Sequence, residues 1–307
     1  MNPKEYLRSR FPESLFSAIN SEEYLSSLYL GADNAKNLNV VIAGLCRDTI
    51  DTIHQTMCRL QHMSSLFKSS KIVIYENDSC DGTSEVLKGY SLQNDNLILI
   101  QEKLNNEGYK GFNAENLYQP TDTSFERAEY LAGLRNMYLE EIRLIQTPID
   151  YVIVVDLDLE GGWSYDGILN SFAYDSWSAM TGNGVLFRKK NTSHKNLTEA
   201  EYERLFFDTW AYRQYGNEKV LSSGDTNKLV FDRGESPTAV FSNFNGIGIY
   251  KYDDLIRCEY GALEHEDGTV DCDHPFLHKQ MRDNGCSIYL NPSLITLYSP
   301  HEFSVNI

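Results

Sequence analysis

Tyr151-Val152-Ile153-Val154-Val155-Asp156-Leu157-Asp158 decides how this 307-residue chain is read. Five apolar, mostly β-branched residues in a row, with no polar alternation, suit a strand buried on both faces, and such strands lie inside sheets that helices cover on both sides. The run passes straight into two aspartates. In extended chain, residues two apart share a side, so Asp156 and Asp158 are expected to project together from the carboxyl end of the sheet, where α/β folds place ligands. Two carboxylates there repel one another unless a cation lies between them or one takes up a proton. A hard divalent ion held by one or two carboxylates and by phosphate oxygens is the common arrangement for Mg²⁺ or Mn²⁺. Acidic pairs also end many strands as solvated turns, so the motif takes its meaning from its surroundings.

Working outward, Asn39 to Gly44 and Lys71 to Tyr75 are two more buried strand segments, and Leu97 to Ile100 a third. Amphipathic stretches at about Thr49 to Phe67 and up to Leu87 separate them, and a helix capped by Ser124 or Thr123 is expected to run to about Ile145. Strands alternating with helices give an α/β fold with parallel strands. Downstream, Ser178 to Thr181 and Gly184 to Phe187 read as short paired strands, and Lys189 to Glu235 as a polar, partly helical insertion. A strand near Thr238 to Ser242 precedes the glycine-bearing segment Asn243 to Gly248. A helix from about His274 to Asp283 and strands at Ser287 to Leu290 and Leu294 to Tyr298 finish the pattern. The residues before about Gly31 form a helical preface.

Composition narrows the partners. The formal net charge is −17, with 41% hydrophobic and 23% charged residues, and 12% aromatic residues including 20 Tyr. Such a chain folds, and its field repels nucleic acid and anionic membrane surfaces. Met1 to Ser21 has no uninterrupted apolar core, so neither a signal peptide nor a transmembrane segment is expected. The six cysteines include no C-x-x-C pair, which favours reduced thiols and a cytoplasmic location. An acidic protein that binds a diphosphate needs a divalent cation or well-placed arginines.

The order of motifs supplies the context. After the second strand comes Glu76-Asn77-Asp78-Ser79-Cys80-Asp81-Gly82-Thr83; Arg135-Asn136 lies in the helix before the central strand; then comes Asp156-Leu157-Asp158. This order resembles the nucleotide-binding half of GT-A glycosyltransferases, in which an acidic pair and Gly-Ser-x-Asp-Gly-Thr follow the second strand and Ala-Arg-Asn precedes a D-x-D. Here Asp78 stands at the glycine. The resemblance implies a GT-A fold, a Rossmann-like mixed sheet flanked by helices, in a single domain over residues 38–307. Residues 38–160 would form the nucleotide-binding half and 161–307 the acceptor half, with 1–37 a helical N-terminal extension. It implies that Glu76 contacts nucleobase or ribose, that Arg135 lies near the donor phosphates, and that Asp156 and Asp158 hold ribose and metal. Arg47, Asp78 and Gly246 join the residues expected to bind the donor.

Phe207-Asp208-Thr209-Trp210, Ser242-Asn243-Phe244-Asn245-Gly246, Cys272-Asp273-His274 and Asn291-Pro292 followed by the strand that ends in Tyr298 resemble recurring blocks of the fungal capsule-associated mannosyltransferases. That family transfers mannose from GDP-mannose with retention. The implied donor is a GDP- or UDP-sugar, the acceptor a glycan or other hydroxyl, and the cation Mn²⁺ or Mg²⁺, held by Asp158, Asp156 and His301, with His274 competing for the last place. Asp273 would cap the helix that follows. It would act as general base if the reaction inverts, and orient acceptor or donor if it retains. Trp210 is expected to stack on a sugar, while Trp163 and Trp177 suit the core. Two other readings use a similar sheet: a nucleotidyltransferase that builds nucleotide-sugars, and a non-catalytic carbohydrate-binding protein.

Overall fold

The computed structural model describes residues 11–104, 123–189, 202–221, 224 and 228–298. A short 3-10 turn, Glu13–Leu15, leads into α1, Ser21–Ala35. The first half then alternates: β1 Asn39–Cys46, α2 Ile53–Ser64, β2 Ser69–Asn77, α3 Thr83–Ser91, β3 Leu97–Glu102, α4 Phe125–Leu144 and β4 Tyr151–Val155. The expected strands and helices are all present here, and Ser124 caps α4, its hydroxyl accepting the Arg127 amide. The second half contains β5 Gly162–Trp163, α5 Tyr165–Ser171, β6 Ala179–Lys189, β7 Tyr202–Phe206, β8 Arg213–Gln214, β9 Thr238–Ser242 and β10 Ile247–Lys251. It ends with α6 Tyr252–Leu255, β11 Leu263–Glu264, β12 Val270–Asp271, α7 Asp273–Asp283 and β13 Ile288–Leu297.

Among these residues, eleven strands form one mixed sheet whose main path runs β3-β2-β1-β4-β10-β6-β13-β9-β8. The strands from β3 to β4 are parallel; β10 enters antiparallel to β4, and β6 antiparallel to β10. The mixed α/β architecture flanked by helices is therefore the one the sequence implies, and the sheet runs unbroken across the boundary at residue 160.

Several expectations for the second half change. The two segments between Ser178 and Phe187 form one strand, β6, because both halves pair with β13 and neither meets the other. The two late strands are likewise one, β13, with a register shift between Leu290 and Ile295 that absorbs Pro292. The insertion from Lys189 to Glu235 contributes β7 and β8 in its described part, together with one helical residue, Gly224. Ile247 and Gly248, the end of the glycine-bearing segment, open β10, which lies beside the central strand.

Each central strand feeds two cores. Ile42, Ile153 and Val155 face one side with Ile53, Met57, Leu60 and Met63 of α2; Val41, Ala43, Val152 and Val154 face the other with α4 and α7. That double burial is why the sequence shows unbroken apolar runs here. On the first side α1 packs on α5 so closely that a Cβ on Gly31 would fall 1.9 Å from the Leu169 carbonyl oxygen. Arg233 and Ser164 hold Glu13 at 2.5 and 2.8 Å, which docks the start of the described chain on the second half.

Candidate functional site

β4 ends at Val155, so the strand argument for Asp156 and Asp158 needs correction: both lie in a turn just past the strand. Their common side has a different cause. Leu157 between them is fully buried, and Gly44 of β1 makes room for it, since a Cβ there would sit 2.7 Å from the Leu157 Cγ and 2.4 Å from the Val155 oxygen. From α2, the Thr56 hydroxyl donates to the Leu157 carbonyl at 3.0 Å, and Arg59 donates to the carbonyls of Leu159 and Glu160 at 2.9 and 2.8 Å. On the other flank the Asp156 amide donates to the Gly246 carbonyl at 2.9 Å. With Leu157 pulled into the core and the backbone tied on both sides, the two aspartates stay at the sheet edge.

The carboxylates feel each other. Burial pushes the Asp156 carboxyl up to about 7; Arg135 opposes this, and the charges of Asp158 and Asp208 add to it. Asp158 is exposed on its outer side, yet the protein behind it removes enough water to raise its carboxyl too. Arg135 of α4 is forked: its Nη2 donates to Asp156 at 3.1 Å and its Nε to Asp273. It is buried under Phe244 and Tyr260, whose ring centroids lie 5.1 and 5.9 Å from the guanidinium carbon. Burial disfavours its charge, but its neighbours together, Asp273 foremost and Asp156 among them, hold the guanidinium well above its ordinary value. Arg135 thus meets the aspartate turn through Asp156.

Asp273 was expected to cap α7; instead Cys272 holds the N-cap position and Asp273 is the first helical residue, 4% exposed, turned onto Arg135. Ion pairing to a buried guanidinium is worth more to that carboxylate than a bond to its own helix amides. His274 lies flat on Phe244, with centroids 3.6 Å apart, and burial holds its imidazole neutral. It is 2% exposed, with its Nε2 3.8 Å from Asp273 Oδ2, whereas Asp158 is exposed. His301 lies outside the described residues.

The segment after β2 is a self-contained turn. Glu76, expected to meet nucleobase or ribose, is 2% exposed and spends its oxygens on the Ser79 amide at 3.0 Å and the Ser84 hydroxyl at 2.8 Å. Asp78 takes φ +55°, the left-handed conformation that glycine adopts with ease and aspartate tolerates, and accepts the Leu104 amide. Asp81 and Thr83 accept the amides of Ile50 and Thr49 at 2.8 and 2.9 Å, tying this turn to the one after β1. Arg47 sits there beside Asp48, 3.4 Å away.

Two residues join the site that the sequence argument did not assign to it. Asp208, just past β7, exchanges hydrogen bonds with Asn245: its amide donates to Asn245 Oδ1 at 2.9 Å, and its carboxylate accepts the Asn245 amide at 3.3 Å. Asn245 is fixed in turn by Asn243, which Thr181 and Gly182 hold from β6. Tyr298 follows β13, and a Cβ on Gly246 would lie 2.7 Å from its hydroxyl. Gly246, φ +79°, therefore leaves room for a phenol, while its carbonyl anchors Asp156. Both residues fall in blocks singled out from the sequence, but a lone acid in a polar loop and a tyrosine ending a strand gave no separate signal of a shared position. Trp210, expected to stack on a sugar, is half-buried, donates to the Val270 carbonyl at 2.8 Å and carries Arg127 over its ring. Trp163 and Trp177 are core residues.

Among the described residues Asp156, Asp158 and Asp273 share Arg135 as their direct or nearby cation, while the cation that Asp208 feels is Arg213, which is already paired with Asp271. The cluster is short of positive charge. Among the described residues no group of three or more His, Cys, Asp or Glu side chains forms a metal cage, and no helix is long and apolar enough to cross a membrane. All six cysteines are free thiols.

No curated protein matches the chain. Solved structures similar to it include the mannosyltransferase PcManGT from Pyrobaculum calidifontis in complex with GDP-Man and Mn²⁺, at 11% identity and a TM-score of 0.45 over 92% of this chain and 68% of that one. Also similar are GalNAc-T7 with UDP, GalNAc and Mn²⁺, at 10% identity and 0.44 over 87% and 45%, and S. aureus TarS 1-349, at 11% and 0.44 over 85% and 60%. The model of one protein family matches residues 39–275, most of the chain and all of the site's described residues except Tyr298. On that match the chain belongs to the family described as Cryptococcal mannosyltransferase 1.

Proposed function

We propose that the chain is a metal-dependent glycosyltransferase that moves a hexosyl group, mannose by the family's description, from a nucleoside-diphosphate sugar to a hydroxyl of a glycan or similar acceptor. The observation that carries this reading is the Asp156-Leu157-Asp158 turn, pinned by Thr56, Arg59 and Gly246 so that two mutually destabilised carboxylates stand at the sheet edge.

The donor set suits Mn²⁺ or Mg²⁺: hard carboxylate oxygens, one of them on an exposed side chain, in a cluster that lacks positive charge. Asp158 and Asp156 would hold the ion, with His301 as a further ligand. When bound, such an ion supplies Lewis-acid stabilisation of the departing nucleoside diphosphate. The chain's own residues prepare that place. Arg135 orients Asp156 and shields it from Asp273, and Asp273 in turn holds Arg135, which makes both positioning residues. A general base must reach the acceptor hydroxyl, and Asp273 is engaged with Arg135 on the buried side, so the arrangement favours its positioning role over proton removal. Arg47, Asp78 and Glu76 shape the neighbouring turns that would face the nucleotide. The buried thiols Cys46, Cys258 and Cys272 suit a reducing, cytosolic setting.

The test is Asp158→Ala. It should remove Mn²⁺-dependent binding of nucleoside diphosphates and all sugar transfer while leaving the circular dichroism spectrum and urea midpoint near wild type. Transfer at the wild-type rate in that variant would end the proposal.

A further inference from the structure

We infer that Phe207 and Asp208 form the subsite that grips the hexosyl group of the donor. The inference rests on the proposed reading of Asp156 and Asp158 as the place of the donor diphosphate.

Phe207 directly follows β7, and its amide donates to the Gly184 carbonyl at 3.1 Å. Its ring lies on Tyr298, with centroids 3.6 Å apart and planes at 25°, yet Phe207 remains 39% exposed. A ring covered on one face and still this accessible offers an apolar surface at the rim of the site. Tyr298 links that rim to the carboxylates. Its hydroxyl sits over Gly246, and burial, with the charges of Asp156, Asp208 and Asp158 adding, holds the phenol well above its ordinary value.

Asp208 is prepared differently from the other acids. Its carboxylate accepts the amides of Ala211 at 3.1 Å and Asn245 at 3.3 Å, so backbone fixes it in direction where a guanidinium fixes Asp273. Backbone amides leave lone pairs that a substrate hydroxyl can use. An apolar ring face stacked on a tyrosine, whose phenol feels the charge of a fixed carboxylate acceptor, matches a pyranose, which presents C–H groups on its faces and hydroxyls around its edge. A phosphate would be repelled by Asp208, and a nucleobase offers no run of hydroxyl donors. The neighbouring Asp156 and Asp158 place the diphosphate, so the sugar within reach of Asp208 is the one attached to it.

The test compares binding of nucleoside diphosphate alone with binding of the matching nucleoside-diphosphate hexose. Wild type, Asp208→Asn and Phe207→Leu are titrated calorimetrically with Mn²⁺ and GDP, GDP-mannose, UDP or UDP-glucose. In both variants the gain in affinity from adding the hexose, taken as the ratio of hexose-bearing to bare diphosphate in the same protein, should fall about tenfold or more. Phe207→Leu keeps an apolar side chain without the flat face, and so decides the matter should Asp208→Asn fold poorly. Hexose affinity equal to wild type in a folded variant overturns this inference alone. Absence of any Mn²⁺-dependent nucleotide binding by wild type overturns the proposed function and this inference with it.

Discussion

The hydroxyl of Thr56, fully buried on α2, donates to the carbonyl of Leu157 at 3.0 Å and so ties a core helix to the residue between the two aspartates. Thr56→Val keeps the shape but leaves that buried carbonyl without its donor, at a cost of about 1–3 kcal/mol. Urea unfolding should show the loss, and Mn²⁺-dependent nucleotide affinity should fall with it because the turn gains freedom. Thr56→Ser, which keeps the hydroxyl, should recover most of both. A valine variant with unchanged affinity would mean that the turn is held by Arg59 and Gly246 alone.

Arg135 between Asp156 and Asp273 makes a sharper case. Arg135→Met leaves Asp273, 4% exposed, as a buried charge without its guanidinium, and such a loss costs about 3–5 kcal/mol. Arg135→Lys should recover little, since one ammonium cannot fork to two carboxylates. The double variant Arg135→Met, Asp273→Leu should be markedly more stable than the sum of the two single losses predicts, because no buried charge is stranded. Chemical denaturation of the four proteins measures this coupling, and strict additivity would contradict a direct pair.

How much of this was written in the sequence depends on what each residue touches. β4 and its aspartates were legible because double burial leaves an unbroken apolar run and because the chain order around them resembled known enzymes. Ser124 as a cap was legible because capping is local. Asp273 misled for the same reason: its place at a helix start suggests a cap, and only the long-range approach of Arg135, 138 residues away in sequence, redirects it. The single strand β13 read as two because Pro292 breaks the pattern, whereas the sheet absorbs it as an irregularity. Asp208 and Tyr298 lie 90 residues apart and meet through the packing of β6, β10 and β13, which no local pattern encodes.

Proton and cation should compete at the aspartate turn. In the metal-free protein the Asp156 carboxyl is pushed up to about 7, above its ordinary 3.8, so the folded chain holds more protons than the unfolded chain between those values. From this group the stability of the metal-free protein should fall as pH rises from about 4 to about 7. A divalent ion binds the deprotonated form, so the Mn²⁺-induced rise in melting temperature should be larger at pH 8 than at pH 6. Addition of Mn²⁺ near pH 7 in weak buffer should release protons. A thermal shift independent of pH would show that these carboxylates are not the ligands.

Two glycines separate close packing from mere helix propensity. A Cβ on Gly44 would fall 2.4 Å from the Val155 carbonyl oxygen and 2.7 Å from the Leu157 Cγ, and the first of these is backbone that cannot step aside. Gly44→Ala should therefore push β4 and Leu157 away from β1, costing about 1–3 kcal/mol as an overpacked core does and displacing Asp156 and Asp158 together. Gly89, in α3, has nothing within 4 Å of its missing Cβ and an ordinary helical backbone. Gly89→Ala should stabilise the chain by about 0.5–1 kcal/mol through helix propensity and leave nucleotide binding untouched. Paired melting curves and Mn²⁺-dependent nucleotide titrations read both effects. If Gly44→Ala behaved like Gly89→Ala, the close approach of β1 to the aspartate turn would not be what positions the site.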